Sequence, residues 1–378
     1  MIKHVCIKRL NGFIDIDCDF HEDINIITGS NGSGKTSIVK AIWYAISGNL
    51  GILLTECKFE RVYITTDTYK LDIIAENSEG ISINFQNDEN SFQETFEGTV
   101  NIFNSPRANE INRQIATTSE GSIFLPTFRR IEGGFETMGD LRPIRRRVAG
   151  RVETELVRMG GLQEEIESIS SRLSVGNHQF ICSISTFDIQ RLLSRKYTNL
   201  SEEINKDYHK LSEFIIQEIG RYDTEVISTT SDKLSKSETL LQEIRGRVTG
   251  IDKKRRELTK PFEVLTDISE KLFQHKGIAI TKSVTIGESI DAIESTVLSA
   301  GEKQMLSFIC YNAFHNNIPI FIDEPELSLH IDWQRQLFPI LLSQETDDQY
   351  IIATHSPFIY SKYPEKEIKL SEDRGYTE

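Results

Sequence analysis

Residues Gly29 to Ser37 read G-S-N-G-S-G-K-T-S, and no other segment restricts the fold of this chain as tightly. Glycine, four residues, then Gly34-Lys35-Thr36 is a phosphate-loop pattern. It works only between a strand and a helix, because backbone N–H groups and a helix N-terminus must converge on one anion. Both flanks meet that condition. I-N-I-I-T runs into Gly29 as an apolar strand, and S-I-V-K-A-I-W-Y-A-I continues as a helix. The residues expected to hold ATP are therefore Asn31, Gly32, Ser33, Gly34, Lys35, Thr36 and Ser37. Lys35 is expected to reach the β- and γ-phosphates, and the Thr36 hydroxyl to take one position on Mg2+.

Three more segments follow far downstream: L-S-A-G-E-K-Q from Leu298, I-F-I-D-E-P-E from Ile320, and I-I-A-T-H-S from Ile351. I-P-I-F-I-D-E has the unbroken apolar character of a buried parallel strand, and it ends in two carboxylates. Asp323 is placed to hold Mg2+ through water. Glu324, one residue on, points to where an attacking water must sit, the position of a general base. Ser299, Gly301 and Glu302 stand at the start of a helical stretch, where a small polar residue and a glycine make an anion-binding nest. Alone, that pattern is an ordinary helix cap. About twenty residues ahead of the acidic strand, it reads as the part that one copy lends to the γ-phosphate of another. His355, after the strand I-I-A-T, has the spacing of a γ-phosphate sensor. The expected catalytic set is thus Glu324, His355 and Lys35, with Thr36 and Asp323 for the metal.

At 378 residues and a formal charge of −14, the chain has room for a large core and disfavours indiscriminate coating of nucleic acid. The basic residues are local. Arg129, Arg130, Arg142, Arg145, Arg146, Arg147 and Arg151 share a stretch with only three acids, Glu132, Glu136 and Asp140. Lys253, Lys254, Arg255 and Arg256 form a second group. Each either docks a polyanion or acidic partner, or pairs with acids of the protein itself. The five cysteines are scattered without a C-x-x-C pair, which suits reduced thiols and no zinc site. No run is long and apolar enough for a membrane span, and no secretion-signal profile opens the chain, so a cytoplasmic protein is expected.

I-K-H-V-C-I-K-R-L opens the chain as a strand. R-V-Y-I-T-T, Y-K-L-D-I-I-A and G-I-S-I-N-F are spaced like antiparallel strands of a side sheet. From about residue 188 to 274 the pattern becomes helical. Ile204, Tyr208, Leu211, Ile215 and Ile219 recur every three or four residues. Leu241, Ile244, Val248, Ile251, Leu258, Phe262 and Leu265 keep heptad spacing, broken by Arg255. Either an antiparallel hairpin with arms on the order of 40–50 Å or two ordinary core helices fits, since Gly246 and Gly250 weaken the seam.

Taken together, these residues resemble the ABC-type ATPases, in their soluble branch with the SMC proteins, RecF-like repair ATPases and the overcoming-lysogenisation-defect (OLD) family. D-E-P-E-L-S-L-H-I-D-W-Q, Asp323 to Gln334, is most similar to the OLD type. F-L-P-T-F-R-R-I-E-G-G-F and S-I-S-T-F-D-I-Q-R-L-L are similar to prokaryotic anti-phage defence ATPases of the PARIS type. The resemblance covers about half the chain. It implies an α/β fold: a two-lobed ABC head with a mixed central sheet, an antiparallel side sheet and an inserted antiparallel helical hairpin. The expected divisions are 1–187, 188–275 and 276–378. Two departures stand out. Ala300 occupies a position where transporter subunits have a second glycine, and no Q-loop glutamine is evident in R-R-I-E-G-G-F, where Glu132 or an arginine is the available substitute.

What the resemblance implies functionally is a slow, regulatory ATPase that forms a homodimer or higher homo-oligomer around ATP and Mg2+. It would sense a phage-encoded trigger or DNA and control a separate effector, a nuclease. The effector is expected on another polypeptide because about two dozen residues follow His355, too few for the nuclease domain of OLD proteins. The alternatives are a DNA-repair ATPase that clamps DNA and, more remotely, a transporter energy subunit.

Overall fold

The computed structural model describes residues 1–76, 80–97, 105–127, 130–131, 141–148, 151–158, 162–184, 186–224, 230–273 and 298–370. The chain divides into two compact units, Met1–Ser185 with Leu298–Glu378, and Thr186–Val297.

In the first unit, β1 (Ile2–Leu10) and β2 (Ile14–Asp19) form a hairpin with apolar residues turned inward, among them Val5, Ile7, Leu10 and Ile16. β3 (Ile24–Thr28) is buried at every position, as a strand covered on both faces must be. It delivers the chain to the phosphate loop and α1 (Lys35–Ile46). After α2 (Leu50–Glu56), the alternating runs become β4 (Arg61–Thr66), β5 (Tyr69–Glu76) and β6 (Gly80–Asn87), followed by β7 (Ser91–Glu97). The result is a six-stranded antiparallel sheet in the order β2-β1-β4-β5-β6-β7.

α3 (Pro106–Thr118) leads into β8 (Ser122–Leu125) and the short β9 (Arg130–Ile131). Arg142, Arg145, Arg146, Arg147 and Arg151 then fall on an antiparallel ribbon of β10 (Leu141–Val148) and β11 (Arg151–Arg158). Arg129, Glu132, Glu136 and Asp140, and with them most of R-R-I-E-G-G-F, lie outside the described residues. α4 (Leu162–Leu173), β12 (His178–Phe180) and β13 (Ser183–Ile184) close this stretch.

Among the described residues the second unit holds two helices, α5 (Thr186–Thr224) and α6 (Thr230–Phe273). The first unit then resumes with α7 (Ala300–Ala313), β14 (Pro319–Asp323), α8 (Ile331–Leu342), β15 (Gln349–Ala353), α9 (Pro357–Tyr360) and β16 (Glu367–Lys369).

The second sheet orders its strands β12-β8-β14-β15-β3-β16. Where the sequence suggests a mixed central sheet, every pairing in it is parallel, and the antiparallel pairings lie in the other six-stranded sheet and in the β10–β11 ribbon. The consequence is functional. All strands point the same way, so β3, β14 and β15 end side by side and present their loops at one edge. Gln349 ties the sheets together: its side chain accepts from the Ile2 amide at 2.8 Å and donates to the carbonyls of Ile2 (2.8 Å) and His21 (2.7 Å).

Aromatic packing holds α1 on the sheet. Trp43 sits 5.4 Å from the ring centroids of both Phe124 and Phe180, and its indole N–H donates to Ser122 Oγ at 3.0 Å. A buried indole needs such a partner. His178 contacts the same hydroxyl at 2.7 Å, and burial pulls its pKa down to about 4, so it is a neutral core residue.

Within the second unit the helices run antiparallel. Tyr197 meets Phe262 edge-on, Lys254 bridges Glu203 (2.7 Å) and Asp207 (2.8 Å), and Arg247 stacks over Phe214 at 3.7 Å. With 39 and 44 residues the arms extend about 58 and 66 Å, longer than the sequence pattern suggests. The cause is that helix continues through Gly246, Gly250 and Pro261, each of which weakens but does not end it. The heptad seam is only partly closed. Leu211 and Leu265 are buried, whereas Ile219 and Leu241 are 53% and 65% exposed.

Candidate functional site

The phosphate loop owes its path to backbone freedom. Gly34, the N-cap of α1, has φ +95°, and an added Cβ would strike the Ile14 side chain. A side chain there would therefore both strain the turn and displace β2. Ser33 Oγ is buried in this loop without a hydrogen-bond partner. A buried hydroxyl of that kind marks a place where a ligand oxygen completes the bonding.

At the edge formed by β3, β14 and β15, the side chains converge. Lys35 donates to the carbonyls of Gly29 (3.1 Å) and Ser30 (3.2 Å) and stands 2.5 Å from Nε2 of His355. At that separation Nε2 accepts, so the imidazole is neutral. Burial first, and the Lys35 charge second, hold its pKa below the ordinary value. Burial also lowers the pKa of Lys35, against the pull of Glu324, Asp323 and Glu326. Thr36 Oγ1 donates to Asp323 Oδ1 at 3.0 Å, and Thr127, two residues past β8, donates to Asp323 Oδ2. Asp323 is 1% exposed.

Glu324 leaves β14 in a left-handed conformation, φ +50°, while its N–H still bonds the Ala353 carbonyl at 2.8 Å. Such a conformation is strained for a residue with a Cβ, and strain of this kind gathers at working sites. Its carboxylate lies 3.3 Å from His355 Nε2. Burial chiefly, then the hydrogen bond and charge of Glu326, push the Glu324 pKa up to about 8.

Glu326 is a site residue that no sequence pattern singles out from the rest of D-E-P-E. Its Oε2 accepts from Thr354 Oγ1 (2.8 Å) and its Oε1 from the His355 amide (2.7 Å). One carboxylate thus fastens the His355 loop to the loop after β14. Thr127 is equally silent in the sequence: a threonine in F-L-P-T carries no pattern until β8 is placed beside β14.

Ser299, Gly301 and Glu302 are not gathered with that group. They form the N-terminus of α7, where Ser299 and Glu302 complete a reciprocal capping box. Gly301 packs so closely on the Ser328 carbonyl that a Cβ would overlap it, and Ser299 itself is exposed. The Asn31–Gly32–Ser33 side of the phosphate loop, with Phe13, Asp15 and Lys369, lines a cleft of about 630 Å³.

The donor set suits Mg2+. A hydroxyl and a carboxylate oxygen already face one another at 3.0 Å, and Mg2+ takes one or two protein oxygens, with phosphates and waters supplying the rest. Among the described residues no cluster of three or more His, Cys, Asp or Glu could hold a metal by itself. None of the described helices is long and apolar enough to cross a membrane.

The RecF/RecN/SMC N-terminal domain family matches residues 1–377. Among solved structures, the Smc head domain with an extended coiled coil, bound to the C-terminal domain of ScpA, from Pyrococcus furiosus, is 13% identical. That match covers 95% of this chain and 91% of the other with a TM-score of 0.37. No curated protein matches the chain.

Proposed function

Since the chain belongs to the RecF/RecN/SMC N-terminal domain family, a family of SMC-like ABC-type ATPases, we propose that it hydrolyses ATP at a site shared between two copies. The observation that carries this reading is the convergence of Lys35, Thr36, Asp323, Glu324 and His355 at one sheet edge, with Ser299 exposed on a separate helix start.

In this reading the amides from Asn31 to Ser37 cradle the phosphates and Lys35 turns from His355 to the β/γ-phosphate oxygens. The nucleoside end lies in the cleft beside Phe13 and Asp15. Thr36 and Asp323 would hold Mg2+, which would supply positive charge to neutralise the phosphate oxygens. Glu324 takes the proton of the attacking water, and His355, released by Lys35, donates to the γ-phosphate. Ser299, Gly301 and Glu302 cap that phosphate from the other copy, as a helix N-terminus is suited to do.

Mixing variants tests the sharing. Ser299→Arg alone and Lys35→Ala alone are each expected to be inactive, because every homodimer then lacks one half of both sites. An equal mixture regains about a quarter of the wild-type rate, since half the dimers are mixed and each keeps one of two sites. Full activity in Ser299→Arg alone would end the composite-site reading.

Glu326 acts as a positioning residue. Glu326→Gln is expected to cut kcat by roughly ten- to a hundredfold with little change in KM, as the His355 loop loses its two-point anchor. Because Glu326 helps to raise the Glu324 pKa, the rise of kcat/KM with pH should also move to lower pH. A role in folding alone would leave that midpoint where it is.

For the output of the dimer, we propose the sensor and scaffold of an anti-phage defence system that controls a separately encoded effector. The D-E-P-E-L-S-L-H-I-D-W-Q segment supports it. Family membership equally favours a RecF/SMC-like clamp on DNA. Purification with the products of neighbouring genes, with and without ATP, separates the two. ATP-dependent co-elution of a nuclease supports the first, and ATP-dependent, salt-steep binding of duplex DNA supports the second.

A further inference from the structure

The residue after Glu324 is a buried proline, Pro325. A residue before proline is ordinarily confined to extended backbone, so Glu324 at φ +50° has to be held from both sides. On one side its own N–H bonds the Ala353 carbonyl. The other side cannot be held by the next amide, because proline has none. What is left there is the Pro325 carbonyl. β14 ends at Asp323, so this carbonyl lies beyond the ladder. Its neighbours are taken up within the loop: the Glu324 carbonyl accepts from the Leu327 amide at 3.3 Å, and the Glu326 carbonyl from the Leu329 amide at 3.0 Å. A buried carbonyl between them must find its donor elsewhere.

Gln304, in the second turn of α7, supplies it. Its Nε2 donates to the Pro325 carbonyl at 2.9 Å, and the residue is 0% exposed. Its Oε1 is buried without a hydrogen-bond partner. Burying a whole amide to make one bond is costly, and a leucine or methionine would fill the same space without the unmet acceptor. Packing alone therefore does not account for a glutamine here. Gly301, three residues earlier and so on the same face of the helix, lies so close to the Ser328 carbonyl that a Cβ would overlap it. The start of α7 thus meets the loop at two backbone carbonyls, those of Pro325 and Ser328.

We propose that Gln304 is a positioning residue for Glu324: through the Pro325 carbonyl it fixes the backbone from which that carboxylate is presented to the attacking water. Given the shared-site reading on which this rests, one helix serves two sites. The first residues of α7 face the phosphate of the other copy, and its second turn holds the base of its own chain.

Gln304→Met keeps the length of the side chain and removes the donor and the unmet acceptor together, so it should melt within a few degrees of the wild type. Its kcat should fall roughly tenfold or more, with KM and the affinity for a fluorescent ATP analogue unchanged, since its bond is to the loop of the base. Gln304→Leu, which lacks the same donor, should repeat the pattern. Combined with Glu324→Gln, which already removes the base, Gln304→Met should slow the residual turnover no further. A role in folding alone would subtract from both backgrounds alike. Mixed dimers of Lys35→Ala with Ser299→Arg chains locate the effect, because their one working site uses Glu324 of the Ser299→Arg chain. Gln304→Met on that chain should cut the recovered activity about tenfold, and on the Lys35→Ala chain, which lends only its helix start, should leave it. The reverse pattern would assign Gln304 to the cap and overturn the proposal. So would an unchanged kcat, or a further loss in the Glu324→Gln background. Failure of the shared site shows separately, as a mixture that recovers nothing before Gln304 is altered; the comparison with Glu324→Gln then still decides whether Gln304 acts through that residue.

Discussion

Lys35→Ala is expected to lower ATP affinity by about a hundredfold or more, the loss of two charge-assisted hydrogen bonds to phosphate. Lys35 is 4% exposed, and its ammonium is held by two loop carbonyls and His355. It is also the cation that offsets Asp323, Glu324 and Glu326. Alanine therefore does two things: it removes the proposed contact to the β/γ-phosphates, and it leaves three acids facing one another. Binding of a fluorescent ATP analogue should fall below detection at micromolar protein, and thermal stability should drop modestly and recover with added salt. Unchanged affinity would remove the phosphate-loop assignment altogether.

The parts of this site legible in the sequence are those whose chemistry is local. Lys35 and Thr36 are contiguous with the glycines that shape their loop, and Asp323 ends an apolar run that can only be an interior strand. The parts that are not legible depend on which strands become neighbours. Thr127 reaches Asp323 because β8 pairs with β14, a contact between segments nearly two hundred residues apart. Glu326 matters because the parallel pairing of β14 with β15 brings its loop against Thr354 and the His355 amide.

Helix lengths escape the sequence for another reason. Propensity marks Gly246, Gly250 and Pro261 as weak points, yet packing of α6 on α5 outweighs roughly 5 kcal/mol of local preference. The apolar residues of that hairpin mislead as well. A two-helix seam has room for one stripe, so Leu265 is covered while Leu241, at an equivalent heptad spacing, is not.

Glu324→Gln separates binding from chemistry. Glutamine keeps the shape of the side chain but cannot take a proton from water, so turnover is expected to fall by about a hundredfold or more. ATP affinity should be retained or improved, because one negative charge leaves the neighbourhood of Asp323 and Glu326. Two copies then close on ATP and stay closed, and sedimentation or light scattering should show an ATP-dependent dimer that persists in the variant and dissipates in the wild type. The pH dependence carries an independent check. Burial and Glu326 set the Glu324 pKa to about 8 in the free protein, and kcat/KM reports the free enzyme. In the proposed mechanism the carboxylate is the working form, so wild-type kcat/KM should climb about tenfold per pH unit below that value and level off above it. The variant should be flat across the same range. Stability runs the opposite way: a carboxyl whose pKa is raised on folding favours the folded state at low pH and loses that benefit as pH rises through about 8. A neutral amide at this position carries no such penalty, so the variant should melt higher than the wild type above pH 8 and no higher near pH 4. Wild-type turnover in Glu324→Gln would remove this residue from the mechanism and leave the attacking water to be oriented by another group at the same sheet edge.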